Sequence, residues 1–307
     1  MKIASILVTG GAGFLGSHIV ARLLAQPEVG PDTAIRCMTR NPAGRSHPDP
    51  RVSFVAGDVR DAASLERATE GADAVVHCVQ FPNHPVENPS RGYTYIEIDA
   101  RGTERLVAAC QKNGVRRIVY LSGAGTSPER PETWFQAKVI AERAVRDSGI
   151  DYVILRPSWV FGPEDRSLNR FVSFIKYLPV VPVIGDGSNR VQIAWVGDVA
   201  EMAARAVFLA AATNRTFDVG GPQTLTMDEI VATVQRVLGT HRLVIHQPAG
   251  LMKLAARPLQ ILPSPPLSPA AVDFVLMAVD VDPKPAAETF GVALTSLEDG
   301  LRTYLAR

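Results

Sequence analysis

The chain has 307 residues, a formal net charge of +1 and 46% apolar residues. This length and composition allow a full hydrophobic core, in one large α/β domain or in a large and a small one, and they argue against wholesale disorder. The near-zero charge without a basic block disfavours nucleic-acid binding by phosphate neutralisation. No run of about 18 uncharged apolar residues is present, so no membrane-spanning helix is expected.

The first element is a short apolar, β-branched strand at residues 3–8, followed directly by the glycine-rich segment TGGAGFLG at residues 9–16. Apolar residues then recur at helical spacing to about residue 26. Strand, glycine-rich turn and helix in this order are typical of a unit that holds a dinucleotide diphosphate. The alternative interpretation is a strand–turn–helix that binds nothing.

Each glycine of this segment has a separate predicted role. Gly10 permits the tight turn, Gly13 lets the phosphates approach the backbone, and Gly16 lets the helix lie close to the sheet. Backbone N–H groups at the start of the helix then face the anion, helped by the helix dipole. Phe14 and Leu15, which open this helix, are therefore also expected to lie at the coenzyme.

Strand-like and helical segments alternate through the first half of the chain. Further strands are predicted at residues 34–39, 52–56, 74–79, 116–122 and 151–156, and helices at 14–26, 61–70, 93–113 and 131–148. Strands that are apolar throughout and separated by helices indicate a parallel sheet covered on both faces. The expected fold class is α/β, a Rossmann-type doubly wound parallel sheet.

After Arg156 and Pro157 the regular alternation ends, and prolines mark longer connections. Helices are predicted at 167–177, 197–212 and 226–238, with short strands near 191–195 and 216–219. We expect a dinucleotide-binding domain over residues 1–160 and a smaller α+β substrate-side domain over 161–307, with one or two later elements returning to the first sheet. Residues 249–262 are interpreted as a packed helix, and the apolar tail (Leu251, Leu254, Ile261, Leu262 and Leu267) suggests an apolar substrate or partner.

The three cysteines, Cys37, Cys78 and Cys110, are far apart and form neither a CxxC pair nor a zinc spacing. We expect buried, reduced thiols and no metal site. The N-terminus runs straight into the first strand without a signal peptide, which together with the reduced thiols predicts a cytoplasmic protein.

The choice of coenzyme depends on the end of the second strand. An NAD-binding unit places an acidic residue there to hold the ribose hydroxyls, but this strand ends in Thr39 and Arg40, and Asp32 lies at the opposite end. The planar cation of Arg40 suits a 2′-phosphate, so NADP(H) is preferred and NAD(H) is the alternative. Arg40 could also be a solvated loop residue.

A second coenzyme contact is predicted after the third strand, at Asp58 and Val59. A carboxylate in this place can accept a hydrogen bond from the adenine amino group. Asp58 could instead cap the helix that begins near Asp61, and both roles could hold together.

Several motifs resemble the short-chain dehydrogenase/reductase superfamily, in its extended and atypical branches. They are TGGAGFLG at residues 9–16 and DARGTERL at residues 99–106. The segments at 155–171 (LRPSWVFGPEDRSLNRF), 196–200 (VGDVA) and 218–222 (DVGGP) are similar to the atypical group that contains the nucleotide-binding accessory subunit of respiratory complex I. The resemblance covers residues 1 to about 240.

The resemblance implies chemistry by a Ser, Tyr and Lys, with Tyr and Lys one helical turn apart. Ser122 matches the serine and Lys138 the lysine, which in this superfamily binds the nicotinamide ribose, but Trp134 stands where the tyrosine is expected. An indole N–H cannot titrate near neutral pH and so cannot act as acid or base. The remaining coenzyme contacts implied by the resemblance are Cys78, Val79, Pro157, Ser158 and Val160.

Three interpretations of Trp134 remain open. The protein could be a reductase whose proton comes from Lys138, a water molecule or another residue, with Tyr93, Tyr95 and His84 as candidates. It could bind NADP(H) without catalysis, as a structural or assembly module. It could also act on a small, apolar enone or quinone whose reduction needs no tyrosine. A sugar-nucleotide epimerase is less favoured, and both a monomer and a homodimer are compatible with the sequence.

Overall fold

A computed structural model describes residues 3–82, 86–259, 269–277 and 279–305. Its strands are β1 (Ser5–Thr9), β2 (Ala34–Thr39), β3 (Val52–Ala56), β4 (Ala74–His77), β5 (Arg117–Leu121), β6 (Asp151–Pro157), β7 (Trp159–Phe161), β8 (Val180–Ile184), β9 (Arg190–Trp195), β10 (Arg215–Val219), β11 (Thr224–Thr226) and β12 (Leu243–Gln247). Its α-helices are α1 (Phe14–Leu24), α2 (Ala62–Thr69), α3 (Arg101–Lys112), α4 (Thr133–Arg146), α5 (Ser167–Tyr177), α6 (Val196–Phe208), α7 (Met227–Leu238), α8 (Ala249–Leu259), α9 (Pro269–Leu276), α10 (Lys284–Phe290) and α11 (Leu297–Leu305).

Seven of these strands form one parallel sheet, in the order β10-β6-β5-β4-β1-β2-β3. The expected doubly wound α/β fold is confirmed. Every residue of the central strands β4 and β5 is buried, because helices cover both faces of the sheet. The order reverses between β1 and β4, and this is the switch point at which such sheets bind ligands beyond the carboxyl ends of their strands.

Two apolar cores cover the two faces of the sheet. Helices α1, α6 and α10 contribute to the first core and helices α2, α3 and α4 to the second. The later strand β10 pairs with β6 along the edge of the sheet, so an element from the second half does return to the first sheet. A third core, formed largely by α5, α7, α11 and strands β7 to β9, fills the C-terminal part.

Two predicted helices differ in detail from the structure. The helix predicted at 93–113 begins later, as a π-helical turn at Ile96–Ala100 that continues into α3. Helix α8 is described over Ala249–Leu259, and its Leu251 and Leu254 side chains are about 60% exposed, so this stretch is less packed than expected. The remaining predicted tail leucines and Ile261 lie outside the described residues. Within the described ranges, no helix has the length and apolarity needed to cross a bilayer.

Candidate functional site

The glycine-rich turn after β1 is built so closely that side chains are excluded from it. Gly10 has a φ of +72°, and a Cβ on Gly16 would lie 2.1 Å from the carbonyl oxygen of Gly10. The Gly13 N–H donates to that same carbonyl at 2.8 Å. Helix α1 therefore begins directly against the turn, as the three glycines predict.

The start of α1 is open to an anion. Gly13, the residue before the helix, is exposed and supplies no capping side chain, and the first turn carries no acidic residue. Phe14 and Leu15 open the helix and are partly exposed. Since the first N–H groups of a helix have no partner within it, this end suits a diphosphate.

The segment after β4 forms the other wall of this turn. A Cβ on Gly10 would lie 3.4 Å from the Cys78 carbonyl oxygen and 3.4 Å from the Val79 side chain. The Cys78 thiol donates to the Thr9 carbonyl oxygen, and burial raises the pKa of this thiol to about 12. Cys78 and Val79 thus lie beside the glycine turn, with the thiol protonated at neutral pH. All three cysteines are free thiols; Cys37 and Cys110 are buried as expected, whereas Cys78 is only partly buried.

Charged residues gather where β2 and β3 end. Arg40 is exposed, and its Nη1 donates to the Tyr93 hydroxyl at 3.2 Å. Asp58 is held by Arg60, whose Nη2 lies 2.8 Å from Oδ2, and hydrogen bonds from Arg60 lower the pKa of this carboxyl. The cap of α2 is Asp61, which accepts from the Ala63 N–H. Asp61, and not Asp58, therefore caps the helix, and the Asp58 carboxylate is paired with Arg60.

The remaining expected coenzyme contacts are Val59 and three residues at and after the end of β6. Val59 is buried against Gly102 of α3. The Pro157 carbonyl oxygen accepts from the Ala124 N–H at 2.9 Å, and the Ser158 N–H donates to the Val219 carbonyl. These contacts place the end of β6 beside the loop that follows β5. Val160 lies in β7, which pairs with β9.

Ser122 lies at the end of β5, but its hydroxyl is already engaged. It is fully buried, and its Oγ donates to Glu142 Oε1 at 2.6 Å. Glu142 also accepts from Arg156 at 2.7 Å through both oxygens and from Arg146 at 2.6 Å. Burial opposes the ionisation of Glu142, but the hydrogen bonds from Arg156 and Ser122 outweigh it and lower its pKa. To meet a substrate, the Ser122 hydroxyl would have to leave this carboxylate.

Lys138 is likewise held in a buried ion pair. Its Nζ lies 2.8 Å from Asp99 Oδ1, and the two side chains are 3% and 2% exposed. Burial by itself lowers the pKa of Lys138, but the carboxylate of Asp99, together with Tyr120, outweighs burial and raises it. Nearby, burial and the Lys138 charge lower the pKa of His77 to about 3. The ring of His77 is neutral and lies between the hydroxyls of two threonines (Thr9 and Thr103).

Trp134 packs over the backbone at the end of β5. A Cβ on Gly123 would lie 2.8 Å from the indole ring, so this close packing requires glycine. The indole also lies 4.1 Å, between ring centroids, from Phe135. The position where the resemblance places a proton-transferring tyrosine thus carries a partly exposed apolar ring.

The other proposed proton sources lie elsewhere. Tyr93 meets Arg40 at the ends of β2 and β3, and Tyr95 is buried against Phe81 with ring centroids 4.7 Å apart. His84 lies outside the described residues. Among those described, no group of three or more His, Cys, Asp or Glu is arranged to hold a metal ion.

Sequence reasoning did not assign a role to three charged residues of this region: Asp99, Glu142 and Arg60. Glu142 follows Lys138 by one helical turn, a spacing that puts both on one face of α4, and this signal could have identified it. Asp99 lies in the DARGTERL motif at residues 99–106, but only its position in the fold brings it to Lys138. Arg60 follows Asp58 by two residues, a spacing that carries no signal of its own.

The open helix start, the close turn and the cation after β2 together fit a bound dinucleotide. A model of the NAD dependent epimerase/dehydratase family matches residues 6–220. A 2-alkyl-3-oxoalkanoate reductase of Stenotrophomonas maltophilia is 27% identical, with 98% of each chain covered. The subunit 9 of the NADH dehydrogenase [ubiquinone] 1 alpha subcomplex of Arabidopsis thaliana is 26% identical over 84% of this chain, which spans 64% of that protein.

Solved structures are similar to this chain over nearly its whole length. The crystal structure of a UDP-glucose 4-epimerase from Thermus thermophilus in complex with NAD is 25% identical, covers 98% of both chains and superposes with a TM-score of 0.74. The family match includes the glycine turn, the ends of all six strands from β1 to β6, and the ion pairs beside β5. This chain belongs to the NAD-dependent epimerase/dehydratase family of NAD(P)-binding, short-chain dehydrogenase/reductase-type proteins.

Proposed function

We propose that this protein binds NADP(H) and acts as an oxidoreductase on a small, apolar carbonyl, enone or quinone substrate. The observation that carries the proposal is the close approach of Gly16 to Gly10, together with the exposed Gly13 before α1, which supplies no capping side chain. A nicotinamide coenzyme supplies or accepts the hydride when bound. The residues of the chain hold the diphosphate on backbone N–H groups and orient the remainder of the coenzyme along the strand ends.

The preference for NADP(H) over NAD(H) rests on Arg40. This arginine is exposed directly after β2, where an acidic residue would be needed to hold an unphosphorylated ribose. A hydrogen bond between charged groups contributes about 1.5 to 3 kcal/mol, so Arg40→Ala should weaken NADPH binding about tenfold to a hundredfold. NADH binding should change little. Calorimetric titrations that show equal losses for both coenzymes would remove this argument.

The reductase assignment takes account of Trp134. Because an indole does not titrate, a proton for the substrate has to come from another group, such as Lys138, or from water. Enones and quinones suit this site, since their reduction does not require an acid at the tyrosine position. The apolar face of Trp134 beside Gly123 suits an apolar substrate, and the similar Stenotrophomonas protein is itself named a reductase.

The test follows NADPH consumption with panels of quinones, enones and aldehydes. We expect oxidation of NADPH with quinones or enones in the wild-type protein. Trp134→Tyr should extend the activity to aldehydes if the rest of the pocket is still suited to proton transfer. Absence of any heat on titration with oxidised and reduced coenzymes would refute coenzyme binding itself.

A second candidate is a catalytically silent NADP(H)-binding module with a structural or assembly role. The specific observation that favours it is that the Ser122 hydroxyl and the Lys138 ammonium group are both buried in contacts with carboxylates. The plant relative is named as a subunit of NADH dehydrogenase, which supports the same idea. NADPH binding without turnover on every substrate, in the wild type and in Trp134→Tyr, would favour this candidate.

The two-domain division at residue 160, the cytoplasmic location and the choice between monomer and homodimer remain predictions. Limited proteolysis tests the division, cell fractionation the location, and light scattering the assembly state.

A further inference from the structure

We propose that Arg60 strengthens the preference for a 2′-phosphorylated nucleotide that Arg40 provides, by neutralising Asp58, which would otherwise repel the phosphate. This inference rests on the proposed NADP(H) function and assigns a specificity role to a residue outside the glycine turn. It concerns a cluster of four side chains at the carboxyl ends of β2 and β3: Arg40, Asp58, Arg60 and Tyr93.

Arg60 holds the Asp58 carboxylate with both its backbone and its side chain. Asp58 Oδ1 accepts from the Arg60 backbone N–H at 2.9 Å and from Nε at 3.2 Å, and Oδ2 accepts from Nη2 at 2.8 Å. Both side chains are partly exposed, at 25% for Asp58 and 31% for Arg60. The carboxylate therefore faces the strand ends with both oxygens already paired to a planar cation.

Arg40, the other cation of the cluster, contacts the same tyrosine as Arg60. Arg40 donates to the hydroxyl of Tyr93, and the guanidinium carbon of Arg60 lies 4.7 Å from the centroid of the same ring. One tyrosine thus holds both arginines at the coenzyme edge. Arg40 is also close enough to Asp58 to contribute to its lowered pKa, after the larger effect of the hydrogen bonds from Arg60.

The net charge of the cluster depends on whether Arg60 is present beside Asp58. Two arginines and one aspartate give the cluster a single net positive charge, whereas Arg40 and an unpaired Asp58 would give none. An unpaired carboxylate would repel a phosphate dianion and would compete with it for Arg40. The same carboxylate would accept hydrogen bonds from an unphosphorylated ribose, as the acidic residue after the second strand does in NAD-specific sites. Arg60 therefore acts on the choice between the two nucleotides through Asp58.

The test compares 2′,5′-ADP with 5′-ADP by calorimetry and takes the ratio of their affinities, with NADPH and NADH as a second pair. We expect the wild type to prefer 2′,5′-ADP and Arg60→Met to reduce that preference about tenfold or more. The matched control is Arg51→Met. Arg51 donates to Asp49 in the same arrangement, from its backbone N–H at 2.9 Å, from Nε at 3.0 Å and from Nη2 at 2.7 Å. This pair precedes β3 and so lies at the amino ends of the strands, away from the cluster. Arg51→Met should therefore keep the wild-type ratio.

A double variant separates action through Asp58 from direct contact with the phosphate. If Arg60 acts by neutralising Asp58, Asp58→Asn combined with Arg60→Met should recover most of the lost preference, because no carboxylate remains. The inference is overturned if the double variant discriminates as poorly as Arg60→Met, or if Arg60→Met keeps the wild-type ratio. A wild-type protein that binds neither nucleotide overturns the proposed function, and this inference with it.

Discussion

Removing either charge of the buried Lys138–Asp99 pair should destabilise the fold severely. The two side chains are 3% and 2% exposed, with 2.8 Å between Nζ and Oδ1. Lys138→Met leaves a buried carboxylate that still accepts from the Phe81 N–H at 2.9 Å, and Asp99→Asn leaves a buried ammonium group. Breaking such a pair costs about 3 to 5 kcal/mol, which corresponds to a fall in Tm on the order of 10 °C.

The assay is urea unfolding followed by tryptophan fluorescence and circular dichroism, with both single variants and the double variant. The double variant Lys138→Met with Asp99→Asn removes both charges and leaves an amide oxygen for the Phe81 N–H. It should therefore be more stable than either single variant. This non-additivity measures the coupling between the two charges.

The pH dependence of this effect follows from the direction of the lysine shift. Because the folded protein holds the pKa of Lys138 above its ordinary value of 10.5, the stabilisation is fully present below that value and is lost as pH rises through the folded pKa. The difference between wild type and Lys138→Met should thus be constant from about pH 6 to 9. The reasoning is refuted if each single variant costs less than about 1 kcal/mol, or if the double variant costs their sum.

Three further predictions concern the turn, the indole and the second buried network. Gly16→Ala should abolish coenzyme binding in calorimetry, because its Cβ would lie 2.1 Å from a backbone carbonyl oxygen; unchanged affinity would contradict the proposed turn geometry. Gly123→Ala should cost about 1 to 3 kcal/mol by overpacking but less in a Trp134→Ala background, and equal costs in chemical denaturation would argue against their contact. Hydrogen bonds hold the pKa of Glu142 below its ordinary value, so the stabilisation from this carboxylate is present above that value and is lost as pH falls through the folded pKa. Arg156→Met removes two of these hydrogen bonds and should move the midpoint of acid unfolding to higher pH. An unchanged midpoint would contradict this role of Arg156.

Most of the main sheet could be predicted from local patterns. Apolar runs such as residues 74–76 and 118–121 indicated the buried parallel strands, and the turn formers between segments indicated their ends. The glycine spacing from Gly10 to Gly16 predicted a turn that the structure builds with no space for a side chain at Gly16. The start of the helix predicted at residue 93 could not be located, because the π-helical turn at Ile96–Ala100 has no simple periodic signal.

The sequence by itself determined the strand–turn–helix of the candidate coenzyme site, the arginine after β2 and the replacement of tyrosine by Trp134, because each depends on residues adjacent in the chain or one helical turn apart. Only the tertiary structure decided which partners the charged groups meet. Lys138 pairs with Asp99 and Ser122 with Glu142 because α4 packs between the π-helical turn and the ends of β5 and β6. Such contacts join segments far apart in sequence, and local periodicity carries no information about the packing that brings them together.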